Sequence, residues 1–515
     1  MTNFVISNRN WRVLAQSRDS VFKTLSIACA FVLASVLGIG AVIALRMQMQ
    51  TAVLACLALF GIVGGVIWVT LKLPVVAPLR IALIASFWFR LETELFPIIK
   101  AGHGLPVGFT LSLKLMLAIV LVGIAYFSSS KQKDCERIIP KAFTYSLILL
   151  WLCASLSVVY GKEFISGLYS LFGLASVTLI FFVIPRYFGN IIPLKQAVIS
   201  IATAIIFNSV LGILQYTEIF AGWQMLGATV DDAVMTIPGS EISRASGLLE
   251  MSNSFGWYLA TFLPVVIAPV LLAKRSLKTW QGLLCATAFI LGILALILTF
   301  SRGSWAAFIL TFPLLIIFTL FKLSPRERWQ VILRCIGLLM VITALCAPFL
   351  EAALLRLTQD DQGSAESRVS LMQVARAMIL DNPWVGVGLG SYEATMGAYD
   401  LTEDYISENF PYPVHNMFMH IAAEAGIPAL VCLLLMTLIA LHCGWQVWRD
   451  SEGEPLAQAI AVGLMTGTLA YLITGLKEPT SLDSGQIRVL FLLYGLLIAN
   501  RLANKRARIE RRSAE

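Results

Sequence analysis

Charge is what this sequence has least of. Asp, Glu, Lys and Arg make up only 13% of its 515 residues, about half the share of a soluble globular domain. A shortage on that scale excludes a water-facing surface over most of the chain. A cleavable signal peptide is also missing. No small-residue cleavage site follows the apolar stretch 25–45, and further apolar blocks come after it, so this stretch reads as an uncleaved anchor. Cysteines are present (Cys29, Cys56, Cys135, Cys153, Cys285, Cys335, Cys346, Cys432 and Cys443), but all fall in spans or in loops placed in the cytosol on the reading below, and none in a loop placed on the outer side. That excludes a disulfide framework, and no pair has zinc-ligand spacing. There is no repeat of fixed period.

Apolar residues fill the gap, at 58% of the chain. They come in blocks of about 20, the length that crosses a bilayer. The pattern predicts an all-α integral membrane protein with about fourteen spans, near 25–45, 51–71, 75–91, 109–127, 142–160, 166–185, 196–217, 254–272, 280–300, 304–321, 331–349, 427–447, 457–476 and 486–500. The third contains Pro78, Arg80 and Arg90 and reads alternatively as re-entrant. Gly61-x-x-x-Gly65 is a candidate helix-packing motif.

The net charge of +8 would suggest nucleic-acid binding if it were spread evenly. It is not. Arg9, Arg12, Arg18 and Lys23 precede the first span, and Lys131, Lys133, Arg137 and Lys141 follow the fourth. Lys274, Arg275 and Lys278 lie between the eighth and ninth, and Lys322, Arg326 and Arg328 follow the tenth. The tail carries Arg501, Lys505, Arg506, Arg508, Arg511 and Arg512. With an even span count and both termini cytoplasmic, all these segments share one side, as basic loops of inner-membrane proteins do. Their partners are anionic lipid headgroups. The expected organisation is a cytoplasmic segment 1–24, a bundle 25–349, a periplasmic loop 350–426, three spans within 427–500 and a basic cytoplasmic tail 501–515. The long loop is acidic, with eleven Asp and Glu against Arg356, Arg368 and Arg376.

Three outward-facing arginines run against the charge rule. Arg302 occupies the turn Thr299-Phe300-Ser301-Arg302-Gly303-Ser304, and Arg244 opens Arg244-Ala245-Ser246-Gly247. Arg368 starts a predicted amphipathic helix over 365–380, with Arg376 on roughly the same face. Each could simply snorkel or pair with an acid. Gathered together, they would form a clamp for a diphosphate, since guanidinium stays charged and binds phosphate in a bidentate way. His415, in Tyr412-Pro413-Val414-His415-Asn416, is a candidate general base or else a loop histidine. His420 and His442 read as packing residues, and His103 has no supporting context. A sugar diphosphate carries its own leaving group, so arginines to hold it and one base for an acceptor hydroxyl would suffice without metal or cofactor. Gly386-Val387-Gly388-Leu389-Gly390 follows Asp381-Asn382-Pro383-Trp384 and not a strand, so it reads as a tight turn and not a nucleotide loop.

Glu366-Ser367-Arg368 through Asn382-Pro383-Trp384-Val385-Gly386-Val387-Gly388-Leu389-Gly390-Ser391-Tyr392 resembles the long periplasmic loop of the bacterial O-antigen ligase and polymerase family. So do His415-Asn416-Met417-Phe418, Ala423-Glu424-Ala425-Gly426-Ile427-Pro428, Ser301-Arg302-Gly303, and Arg244-Ala245-Ser246-Gly247 with Asn253. The likeness covers residues 244–430, and the first half matches by hydropathy alone. It implies a GT-C-like inverting glycosyltransferase that takes glycan from undecaprenyl diphosphate on the periplasmic side. It further implies diphosphate contacts for Arg244, Arg302 and Arg368 and an essential role for His415. Arg376, Asn416, Glu424 and Asn253 become supporting candidates. Residues 250–256 lack the His-Pro pair associated with this place in the family. The acceptor would be lipid A-core for a ligase, or another lipid-linked glycan for a surface-polysaccharide polymerase. Two other readings compete. A transporter or flippase would use Arg80, Arg90, Lys114, Glu92 and Glu94 along a membrane path, but the inverted repeats of such proteins are not apparent. A structural subunit of a polysaccharide assembly would not need His415.

Overall fold

The computed structural model describes residues 76–88, 92–99, 106–127, 139–217, 243–249, 251–273, 276–358, 364–450 and 452–514. The chain divides into two compact units, residues 1–79 with 220–229 and residues 80–219 with 230–515. Almost all of the first lies outside the described residues, as do the predicted spans 25–45 and 51–71, the Gly61–Gly65 motif and His103. The second unit is a helical bundle.

Ten described helices are long and apolar enough to cross a membrane, and they answer to the fifth to fourteenth predicted spans. In chain order the elements are α1 (Val76–Ala85), β1 (Glu92–Ile99), β2 (Pro106–Ser112), α2 (Leu113–Phe127), α3 (Lys141–Tyr160), α4 (Phe164–Phe188), α5 (Ile191–Tyr216), α6 (Ser252–Leu272), α7 (Thr279–Leu298), α8 (Arg302–Lys322) and α9 (Pro325–Cys346). Then come α10 (Leu350–Thr358), α11 (Ser364–Asp381), α12 (Tyr392–Met396), α13 (Ile406–Asn409), α14 (Met417–Arg449), α15 (Pro455–Gly475) and α16 (Gly485–Ala514).

The third and fourth predicted spans are corrected. The apolar helical stretches there, Val76–Trp88 and Leu113–Ile124, are too short to count with the ten. Between them residues 92–99 and 106–112 pair as antiparallel strands, with Glu92 opposite Ser112 and Leu95 opposite Phe109. Thus residues 109–112, predicted to begin a helix, are strand. Two of the charges in this region pair: Lys114 Nζ lies 3.0 Å from Glu92 Oε1, and buried Arg488 of α16 donates to the same oxygen.

The core is α6, α15 and α16, each buried along most of its length. Small residues let α6 and α15 touch backbone to backbone. A Cβ at Gly467 would lie 2.2 Å from the Thr261 carbonyl oxygen, and one at Gly463 would lie 2.7 Å from Val265 Cα. Gly463-x-x-x-Gly467 is therefore a packing motif of the kind that joins helices where no hydrophobic effect operates between them. Trp257 seals the same seam by donating to the Tyr471 carbonyl at 3.0 Å. By contrast α9 is peripheral, with Val331 its one buried residue.

Contacts between helix ends define two ends of the bundle. At one end Lys195 Nζ donates to the Ser276 carbonyl, Arg506 to the Gly189 carbonyl, and Arg508 and Arg511 pair with Asp450 and Glu454. The other end carries the long connection between α9 and α14. Its second half is anchored by α14, which starts at Met417, well before the predicted start near 427. The helix is broken at Gly426 (φ +83°), so the predicted span corresponds to the part beyond the break.

Replacing Gly467 with Ala should lower the melting temperature of the detergent-solubilised protein, because overpacking of a close helix contact costs about 1–3 kcal/mol. Gly337→Ala, where the added methyl group meets nothing within 4 Å, should leave melting unchanged or raise it slightly.

Candidate functional site

The site is assembled at the end of the bundle that carries the long connection. Residues 243–249 cross it as a strap. Gln215 of α5 holds the strap, accepting from Ser246 N at 2.8 Å and Gly247 N at 2.9 Å, and Asn208 accepts from Leu248 N at 3.0 Å. Gly247 has φ +57°, and a Cβ there would sit 2.9 Å from Asn208 Oδ1, which explains the glycine. The strap runs beside the turn between α7 and α8, with Ala245 N donating to the Leu298 carbonyl at 2.9 Å.

That fixes Arg244. Its Nε donates to the Thr299 carbonyl at 2.9 Å and its NH2 to Asn253 Oδ1 at 2.8 Å. The turn itself is strained: Phe300, buried, has φ +50°, a left-handed conformation that costs a non-glycine residue about 1 kcal/mol or more. The strain aims the Thr299 and Phe300 carbonyls at two arginines. Arg356 of α10 donates to Phe300 O at 3.4 Å, and Arg302 is the first residue of α8. Burial and the neighbouring Arg356 lower the Arg244 guanidinium to about 10, with Glu478 pulling the other way. Arg356 is within repulsive reach of Arg302 and Arg368 as well. Arg244, Arg302, Arg356 and Arg368 thus form one cationic cluster, and Glu478 is within electrostatic reach of Arg368 and Arg244.

Arg376 does not join them. Eight residues advance a helix by about 80° beyond two full turns, and Arg376 is exposed while Arg368 is partly buried. The expectation of a shared face is corrected on that ground.

His415 lies on the extended segment before α14, within electrostatic reach of Arg368 and His420. Burial first, then those two groups, lower its imidazole to about 4, against an opposing pull from the Pro413 carbonyl. It is therefore neutral at pH 7, with Nδ1 buried and without a hydrogen-bond partner. Asn416 is the N-cap of α14; its side chain accepts from Phe418 N and Met419 N at 3.0 and 3.1 Å. Capping, worth about 1 kcal/mol, fixes where His415 leaves the helix. His420 is buried one turn further on, 3.7 Å from Glu424 and edge-on to Tyr392. His442, near the other end, contacts Gln446 at 2.8 Å.

Glu424 joins the loop to the bundle. Its side chain accepts from Gly390 N at 3.0 Å, and its carbonyl accepts from Gly388 N and Ser157 Oγ. Gly386, Gly388 and Gly390 all have positive φ, and a Cβ at Gly386 would lie 2.2 Å from the Glu424 carbonyl oxygen. This stretch is a turn fitted against the break in α14, in keeping with its reading from sequence. Sequence reasoning overlooked two members of the cluster. Arg356 was counted among the loop cations without a role, and Glu478 stands in Lys477-Glu478-Pro479, a charged turn between two apolar spans. Among the described residues no three His, Cys, Asp or Glu side chains gather as a metal-binding group.

Glu478 keeps part of its surface accessible, but the protein around its carboxyl raises it to about 7, despite the pull of Arg368 and Arg244. Unfolded, it would ionise near 4.5. Between these values the folded state holds the extra proton, so stability from this group falls as pH rises from 4.5 to 7. His415 has the opposite sign: the unfolded chain takes up a proton below 6.5 and the folded one only near 4, so its contribution falls as pH drops through that window. Melting curves in detergent should show Glu478→Gln gaining on wild type as pH rises from 5 to about 7. His415→Gln should gain on wild type as pH falls from 6.5 to 4.

No curated protein matches the chain. Residues 287–434, from α7 through the turn at Arg302 and the long connection into α14, match the family model described as O-antigen ligase. With ten helices long and apolar enough to cross a membrane, the chain is a multi-pass membrane protein, and its residues 287–434 are similar to the O-antigen ligase family.

Proposed function

We propose that this protein transfers a glycan from undecaprenyl diphosphate to an acceptor hydroxyl at the periplasmic face of the inner membrane, with both termini cytoplasmic. The observation that carries this reading is the convergence of Arg244, Arg302, Arg356 and Arg368 beside a neutral His415 at one end of the bundle. The opposite end holds the basic loops, which supports a periplasmic site by the charge rule.

The chemistry follows from those groups. The guanidinium cluster takes the donor diphosphate, held as charge-assisted pairs. His415, unprotonated at pH 7, accepts the proton of the acceptor hydroxyl as its oxygen attacks the anomeric carbon. The bond from that carbon to the diphosphate oxygen breaks, and the arginines stabilise the charge on the departing diphosphate. One displacement of this kind inverts the anomeric centre. Asn253 orients Arg244, Asn416 orients the segment bearing His415, and Glu424 holds the loop in register. Ionised Glu478 competes with the diphosphate for Arg244 and Arg368; protonated, it leaves them to the donor. The acceptor is lipid A-core in a ligase, the reading adopted here, and a second lipid-linked glycan in a polymerase.

The test uses purified protein in liposomes with a lipid-linked glycan donor and lipid A-core, without any ion gradient. Arg302→Ala and Arg368→Ala should each lower kcat/KM about 10²–10³-fold, the usual loss on removing a group that stabilises developing charge. His415→Ala should abolish turnover, while Arg376→Ala should stay near wild type. Normal transfer by His415→Ala, or transfer only in the presence of a gradient, would sink the proposal. In wild type the donor KM should rise as pH passes 7 and Glu478 ionises; in Glu478→Gln that dependence should vanish.

A further inference from the structure

Arg376 was singled out in the sequence and lies outside the cationic cluster. Its surroundings give it a different partner. On α11 the residues Leu371, Val374, Ala375 and Met378 are buried against α14 and the loop core. Val369, Gln373, Arg376 and Leu380 lie on the opposite side, and all are exposed. Four residues beyond Leu380 comes Trp384. Leu380 is 68% exposed and Trp384 76%, a large apolar surface for two adjacent positions outside any spanning helix.

The backbone fixes the depth of Trp384. Ile427 N donates to the Pro383 carbonyl at 2.8 Å, and a Cβ at Gly426 would lie 2.4 Å from the Trp384 carbonyl oxygen. Trp384 is therefore held beside the break in α14. From that break an exposed apolar face continues down the helix through Ile427, Val431, Leu435 and Leu438, spaced as one helix face. In a membrane-spanning helix this face meets lipid. At the far end, the tilted rings of Trp445 and Trp448 lie 4.8 Å apart, with Lys322 over Trp448. From Pro428 to Trp448 is about 20 residues of helix, or roughly 30 Å, the thickness of a bilayer's hydrocarbon core. The two tryptophan positions thus fall at the two interfaces, where indole rings are favoured.

We propose that Arg376, Leu380 and Trp384 anchor the long connection to the bilayer surface. Trp384 lies in the interfacial layer, Leu380 packs among the upper acyl carbons, and Arg376 binds headgroup phosphate one helical turn away. The anchor rests on the membrane-spanning reading of α14 and not on glycan transfer.

The experiment uses the full chain in nanodiscs of phosphatidylcholine, with or without bromine on the acyl chains near the glycerol. Subtracting the emission of Trp384→Phe from that of wild type isolates the Trp384 component. That component should lose most of its intensity in brominated discs. Leu380→Trp, a gain of signal that does not depend on losing Trp384, should add emission quenched in the same way. The inference is overturned if both components are untouched by bromolipid, whether because aqueous iodide quenches them or because a protein surface covers them. A melting temperature for both variants equal to wild type in the same discs shows that the fold is retained.

Discussion

Crowding of like charge at a low-dielectric boundary is the constraint on which the site depends. Arg244, Arg302, Arg356 and Arg368 repel one another, and a repulsive cluster disperses unless each member is held. Here the restraint comes from the backbone. Two successive carbonyls, of Thr299 and Phe300, accept from Arg244 and Arg356, and a left-handed Phe300 is tolerated to present them. Glu478 lies within electrostatic reach of Arg368 and Arg244, and its burial has a cost reflected in its raised proton affinity. In the proposed function a cluster so restrained meets the donor diphosphate with its reorganisation already completed during folding.

The restraint requires a rigid platform, and the bundle supplies it through close backbone contact. Gly463 and Gly467 bring α15 against α6, and α6 begins at the strap that carries Arg244 and at Asn253. The long connection is tied to the same platform at the break in α14. There Val387 N, Gly388 N and Gly390 N donate to the Ala423 and Glu424 carbonyls and to the Glu424 side chain. A helix that continued unbroken through Gly426 would keep those carbonyls for its own hydrogen bonds. The break frees them, so the loop is bound to the helix by main-chain bonds as a strand would be.

This arrangement explains why a mostly irregular segment can carry chemistry. The loop has its own small core around Leu371, Val374, Met378, Tyr392 and Val414. It is joined to the bundle on one side by Glu424 and on another by Ser157 and Ser166, which donate to the Glu424 and Gly390 carbonyls. Arg368 on α11 and His415 before α14 are therefore fixed relative to each other and to the turn at Arg302.

The amino-acid order alone yields the membrane class, ten of the spans and, within residues 287–434, the likeness to the O-antigen ligase family. It could do so because apolar run length and loop charge are local properties, set by the thickness and potential of a bilayer. It could not find the paired strands 92–99 and 106–112, whose Glu92 pairs with Lys114 of α2 and Arg488 of α16, nor separate Arg376 from Arg368, which took the burial pattern around α11. Arg356 and Glu478 joined the site, and Gln215 and Asn208 the scaffold behind Arg244, only once the fold was known. Each is an unremarkable polar residue in its own segment, and its partners lie in helices distant along the chain. Only tertiary packing brings such groups within a few ångströms, where electrostatic energy becomes large enough to give them a role.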